Sequence, residues 1–192
     1  SFERLLRRAL ERGRVKEILN GTQCDAIQRE LLDRMALIGR LEGSEEEGVE
    51  EIPRPEVMLD SVHRIRGGDL FALAFAAPKV LEEDGLSEKL SAAEYAVAQL
   101  GTAFQIVDDL TDFEVDVGRR SNNLLVSQIH HHGSEEEKAT LTKLRAGEGV
   151  PEGLVESLFL NSAASVLDIA YCEARAAFVG LADLGYWFDP SL

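Results

Sequence analysis

Leu90-Ser91-Ala92-Ala93-Glu94-Tyr95-Ala96-Val97-Ala98-Gln99-Leu100-Gly101-Thr102-Ala103-Phe104-Gln105-Ile106-Val107-Asp108-Asp109-Leu110-Thr111-Asp112 decides the fold. Its apolar residues Leu90, Ala93, Val97, Leu100, Phe104 and Val107 recur at steps of three and four, the period of one face of an α-helix. The stripe predicts a central helix that keeps Phe104 and Val107 in the core and runs straight into a group of aspartates.

The same period continues on either side. Leu5, Leu6, Leu10, Val15, Ile18 and Leu19 predict a first amphipathic helix, broken or kinked at Asn20-Gly21-Thr22. Ile27, Leu31, Leu32, Met35, Ala36 and Ile38 form the stripe of a second. Residues 41–54, with Glu45-Glu46-Glu47, Pro53 and Pro55, read as a solvated acidic loop. Helix resumes at Pro55, where a first-turn proline is well placed, and Gly67-Gly68 is expected to interrupt it. Short helices are expected over 124–131 and 134–145. A long helical pattern over 151–184 is built on Leu154, Leu158, Leu160, Ala164, Leu167, Ala170, Ala174 and Phe178. Strand signals are weak, with no alternating β-branched run and no Asn-Gly turn. The expectation is one all-α domain over residues 1–192.

Composition narrows the function classes. The 192 residues are 45% hydrophobic and 29% charged, as in ordinary globular proteins, and carry a net charge of −15. That balance argues against nucleic acid and anionic membranes as partners. No apolar run is long enough for a transmembrane helix, and the charged start at Ser1 does not read as a signal peptide. Cys24 and Cys172 have no neighbours at metal-ligand spacing and read as buried free thiols, which suits a cytoplasmic location. His130-His131-His132 reads as a surface loop between helices rather than a metal site.

The aspartates are the chemical feature. Asp108, Asp112 and Asp116 are each four apart and share one helical face, beside Asp109, with no Lys or Arg between 104 and 117. Aspartate is a poor helix-interior residue, and clustered carboxylates repel. Such violations of local preference concentrate at functional sites. A hard divalent cation relieves the repulsion, and magnesium takes one or two carboxylates together with substrate phosphates. The competing reading is a solvated acidic face on a helical binding module without metal. It expects Asp108→Asn and Asp112→Asn to be neutral or stabilising.

Phe104-Gln105-Ile106-Val107-Asp108-Asp109-Leu110-Thr111-Asp112 closely resembles the second aspartate-rich motif of the trans-prenyl diphosphate synthases, with Asp116 where a further Asp is frequent. Gly21-Thr22-Gln23-Cys24-Asp25 looks like that family's Gly-Gln helix. Arg66-Gly67-Gly68-Asp69-Leu70-Phe71 resembles its Lys-Thr-x-x-Leu-Phe segment, with Arg66 in place of the phosphate-binding Lys. The resemblance spans about residues 15–125, by the reach of those motifs. It implies an isoprenoid synthase-type helical bundle without its N-terminal helices, because the first aspartate motif is absent from this sequence.

The resemblance implies a magnesium-dependent prenyltransferase that condenses an allylic diphosphate with isopentenyl diphosphate. Asp108, Asp109 and Asp112 would be its catalytic metal-binding carboxylates, with Asp109 a ligand through water or a support. Phe104, Gln105, Arg66, Arg119 and Arg120 would bind substrate. Homodimerisation, or a partner subunit supplying the missing motif, is also implied. A non-catalytic subunit of such a synthase and a terpene cyclase-like enzyme of the same fold are the alternatives.

Overall fold

A computed structural model describes residues 1–82, 84–148 and 157–186. Among the described residues the chain is all-α, without strands. The helices are α1 (Phe2–Val15), α2 (Gly21–Ser44), α3 (Pro55–Met58), a π-helix (Leu59–Asp69), α4 (Leu70–Ala72), α5 (Ala76–Leu81), α6 (Ser87–Thr111), α7 (Phe113–Arg119), α8 (Leu124–His132), α9 (Glu135–Arg145) and α10 (Leu160–Asp183).

Local chemistry sets several of the boundaries. Asn20 caps α2: its side chain accepts from the Gln23 N–H, and the Gln23 side chain accepts from the Asn20 N–H. Gln23 of the Gly-Gln resemblance is therefore engaged in a capping box. Ser134 and Glu137 close the same box at α9. Asn123 caps α8 through the Leu125 and Val126 N–H groups.

Gly67 and Gly68 do not interrupt the helix that starts at Pro55. Both lie inside the π-helix, and the helical path runs on through α4. Their role is close packing. A Cβ at Gly67 would stand 2.3 Å from the carbonyl oxygen of Gly101, and one at Gly101 would stand 2.3 Å from the carbonyl oxygen of Gly67. The π-helix and α6 thus cross backbone to backbone, which only two glycines allow.

Helix α6 is central, as expected, but it turns a different face inward. Ala93, Ala96, Gly101, Ala103 and Ile106 are buried, whereas Phe104 is 59% and Val107 43% exposed. Small residues allow close approach on two sides, to the π-helix at Gly101 and to α10 where Gly180 meets Ala96. The larger apolar groups are left on the open side. In α10 Ala170 of the expected stripe is buried, together with Ala163, Val166, Ala177 and Leu181, whereas Leu160, Leu167 and Phe178 are exposed; Leu154 falls outside the described residues.

The main core gathers under the aspartate end of α6. Ile106 and Leu124 are fully buried there, and Phe113 meets Phe159 edge to face at 5.3 Å. Each such side chain removed from water contributes about 2 kcal/mol, so the cleft rests on the best-packed part of the molecule. Three further expectations are corrected. Cys172 is exposed and Cys24 only partly buried. The three histidines close the last turn of α8, where His131 Nε2–H donates to the Ile52 carbonyl at 2.9 Å. Residues 41–44 belong to α2, and Glu45 is buried.

Candidate functional site

An open cleft of about 630 Å³ is lined by Glu42, Glu45, Arg66, Gln105, Asp108 and Asp112, with Asp109, Asp116 and Arg119 also contributing. Seven carboxylates, counting Glu46, face two guanidinium groups, so the cleft is strongly acidic. Its floor is the junction of α6 and α7. Asp112 ends one helix and begins the next, yet its N–H still bonds the Asp108 carbonyl, and the Asp116 N–H bonds the Asp112 carbonyl, both at 2.9 Å. The four-residue register survives the junction, which brings Asp108, Asp112 and Asp116 to the same cleft.

The aspartates differ in environment. Asp108 and Asp112 are exposed. Partial desolvation at the cleft floor, with repulsion from Asp112 and Asp109, pushes the Asp108 carboxyl above the usual carboxylate range. Asp116 is also pushed up, chiefly by burial, although the Asn123 amide donates to it at 2.9 Å. Asp109 turns inward and is 2% exposed. Its Oδ2 meets His63 Nε2 at 2.7 Å and accepts the first N–H of α8, from Leu124; only Oδ1 faces Gln105, at 3.4 Å. Of the two roles expected for Asp109, a ligand through water or a support, these contacts fit the support: its Oδ2 ties α6 to the π-helix and to α8.

Arg66 reaches the cleft from the π-helix and is already paired. Its Nε donates to Glu42 at 2.6 Å and its Nη2 to Glu45 at 2.9 Å. Burial lowers its affinity for the proton, but Glu45 and Glu42 outweigh that, and the guanidinium is held firmly charged. Glu45 in turn accepts from the Asn122 N–H at 3.0 Å and the Asn122 amide at 2.6 Å. Arg119 lines the cleft and makes no ion pair among the described residues. Arg120 does not reach it. It adopts a left-handed conformation (φ 58°) that ends α7, and its carbonyl accepts the Val49 N–H at 2.8 Å.

Gln105 spans Asp108 and Asp109 at 3.5 and 3.4 Å. Phe104 stacks on Phe71 with ring centroids 5.6 Å apart, an exposed aromatic face on the same helix as the carboxylates. The sequence reading missed His63, Glu42, Glu45 and Asn123. Asn123 had a local signal, an Asn directly before the apolar run Leu124-Leu125-Val126. Glu45 had none, because its partner Asn122 lies 77 residues away.

Among the described residues no three His, Cys, Asp or Glu side chains converge tightly enough to enclose a metal ion by themselves. The donor set still suits magnesium. Asp108 and Asp112 offer hard oxygens, and magnesium keeps waters and phosphate oxygens in its remaining positions. No helix among the described residues is long and apolar enough to cross a membrane. No family model matches the sequence, and no curated protein and no solved structure matches it.

Proposed function

We propose that the cleft binds the diphosphate group of an allylic substrate through magnesium, and that the chain belongs to a prenyltransferase of the polyprenyl diphosphate synthase type. The observation that supports this most is the convergence of Asp108, Asp112 and Asp116 on one cleft with Arg66 and Arg119, with the exposed Phe104 ring, stacked on Phe71, one turn before Asp108 on the same helix. An amphiphilic diphosphate needs those parts: oxygen donors for a cation, fixed guanidinium charge for phosphate, and an apolar wall. The motif resemblance points the same way.

Asp108 and Asp112 would hold magnesium, which when bound supplies positive charge to the leaving diphosphate. Arg66 binds a phosphate oxygen by exchanging its exposed partner Glu42, while the buried Glu45 keeps the guanidinium in place. Arg119 adds a second guanidinium, without an ion-pair partner among the described residues. Phe104 and Phe71 exclude water from the carbon that becomes cationic as the carbon–oxygen bond breaks. Isopentenyl diphosphate is the second substrate on this reading. Exposure of Phe104 and Val107 beside the carboxylates also favours a site completed by further helices, from the same polypeptide or from a partner subunit.

Calorimetric titration with geranyl diphosphate, with and without magnesium, tests the proposal. Magnesium-dependent binding that disappears in Asp108→Ala supports it. Binding indifferent to magnesium, or unaffected by that substitution, refutes it and favours the metal-free binding module.

A further inference from the structure

Deep beneath the cleft, His63 is fully buried and touches two fixed partners. Its Nδ1 lies 3.2 Å from the Met58 carbonyl oxygen and its Nε2 lies 2.7 Å from Asp109 Oδ2. At 2.7 Å the Nε2–Oδ2 contact is a hydrogen bond with a proton between the two atoms, because a bare imidazole lone pair against a bare carboxylate would be repulsive.

The consequence lies in the cleft. Asp109 adjoins Asp108, yet its Oδ2 is engaged from behind, by a residue on another helix. Its remaining contacts lock geometry. Oδ2 accepts the Leu124 N–H at the start of α8, and the Asp109 carbonyl accepts from the Asn123 amide at 2.6 Å. That same amide also donates to Asp116, and the Asn123 side-chain oxygen Oδ1 caps α8. One buried carboxylate therefore fixes the end of α6 against both the π-helix that carries Arg66 and the helix start that holds Asp116.

We infer that His63 is a positioning residue of this site: through Asp109 it sets the spacing between Arg66 and the Asp108/Asp112 pair, and it removes Asp109 from the ligand set. The inference rests on the reading of the cleft as a diphosphate site. It assigns unequal roles to two adjacent aspartates whose identity and local sequence are alike. A positioning role tolerates an amide at 109, because the Asn oxygen can take the place of Oδ2 and accept both the Leu124 N–H and a His63 Nε2–H. A ligand role does not.

The experiment uses the full chain and the affinity for geranyl diphosphate in the presence of magnesium. Asp109→Asn is expected to stay close to the wild-type affinity, whereas Asp108→Asn loses binding. His63→Leu, which strands the carboxylate, is expected to weaken affinity by about tenfold or more, the usual cost of losing an orienting partner. Loss of binding in Asp109→Asn equal to that in Asp108→Asn overturns the inference, as does wild-type affinity in folded His63→Leu.

A second measurement needs no substitution and no ligand. Nitrogen-15 NMR of the His63 ring in the wild-type chain is expected to show a far-downfield bridging proton between Nε2 and Asp109. Absence of that proton overturns the inference. If wild-type protein binds no diphosphate while the bridging proton is present, the proposed function fails and the His63–Asp109 arrangement stands.

Discussion

His63 Nε2 and Asp109 Oδ2 stand 2.7 Å apart across 46 residues of sequence, both buried, in a bond that joins the π-helix to α6. Stranding one member of a buried pair costs about 3–5 kcal/mol, because the other keeps its desolvation penalty without compensation. His63→Leu is expected to destabilise by that amount in urea unfolding. The double substitution His63→Leu/Asp109→Leu is expected to recover a large part of it. A double variant no more stable than the single one would falsify that account.

Asp108 gives a pH-dependent prediction with a definite sign. Its carboxyl is pushed above the ordinary range by burial and by Asp112. The folded state therefore binds the proton more tightly than the unfolded state, and without metal stability falls as pH rises through the interval from the ordinary carboxylate value to the raised one. Asp108→Asn is expected to raise the melting temperature at pH 7 in the absence of divalent cations. The gain should vanish once the pH drops below the ordinary carboxylate range. Magnesium should stabilise the wild type more than the variant. Thermal melts at several pH values, with magnesium or with a chelator, check all three statements.

Gly67→Ala places a methyl group 2.3 Å from a backbone carbonyl oxygen, where no flexible side chain can give way. Relief requires the π-helix and α6 to part. The expected loss is about 3 kcal/mol, at the upper end for overpacking. Gly21→Ala, where a Cβ meets nothing within 4 Å, is the control and should be nearly neutral. Chemical denaturation of both variants gives the comparison.

Asn123 satisfies an α8 cap, the Asp109 carbonyl and Asp116 with one fully buried side chain. A lost cap costs about 1 kcal/mol, and each stranded buried partner adds about 1–3 kcal/mol. Asn123→Ala is expected to lose more than a cap alone. Amide hydrogen exchange should show the loss at Leu125 and Val126 first.

Arg66 and Glu45 form a pair whose two partners are nearly out of solvent, while Glu42 remains exposed. Arg66→Met is expected to cost about 3 kcal/mol because Glu45 is stranded. Glu42→Gln, at an exposed contact, should change stability by about 0.5 kcal/mol or less. If Arg66 receives phosphate by releasing Glu42, Glu42→Gln should tighten diphosphate binding. Denaturation and the calorimetric titration separate the two effects.

By itself the sequence determined the helical class and the acidic centre. A three-to-four period is a property of one helix, legible without neighbours, and so is the spacing that puts Asp108, Asp112 and Asp116 on one side. Capping residues such as Ser134 and Glu137 are equally local. Tertiary structure decided which face of each helix is covered. An apolar stripe says that a helix has a greasy side, but not that alanines and glycines on another side admit closer neighbours, and so Phe104, Val107, Leu160 and Leu167 ended outside. Only the fold could separate Asp108 from Asp109, since the difference between them is a histidine on a different helix. It also converted Glu45 from a loop charge into the anchor of Arg66, because the energy of a buried charge depends on partners that no local pattern records.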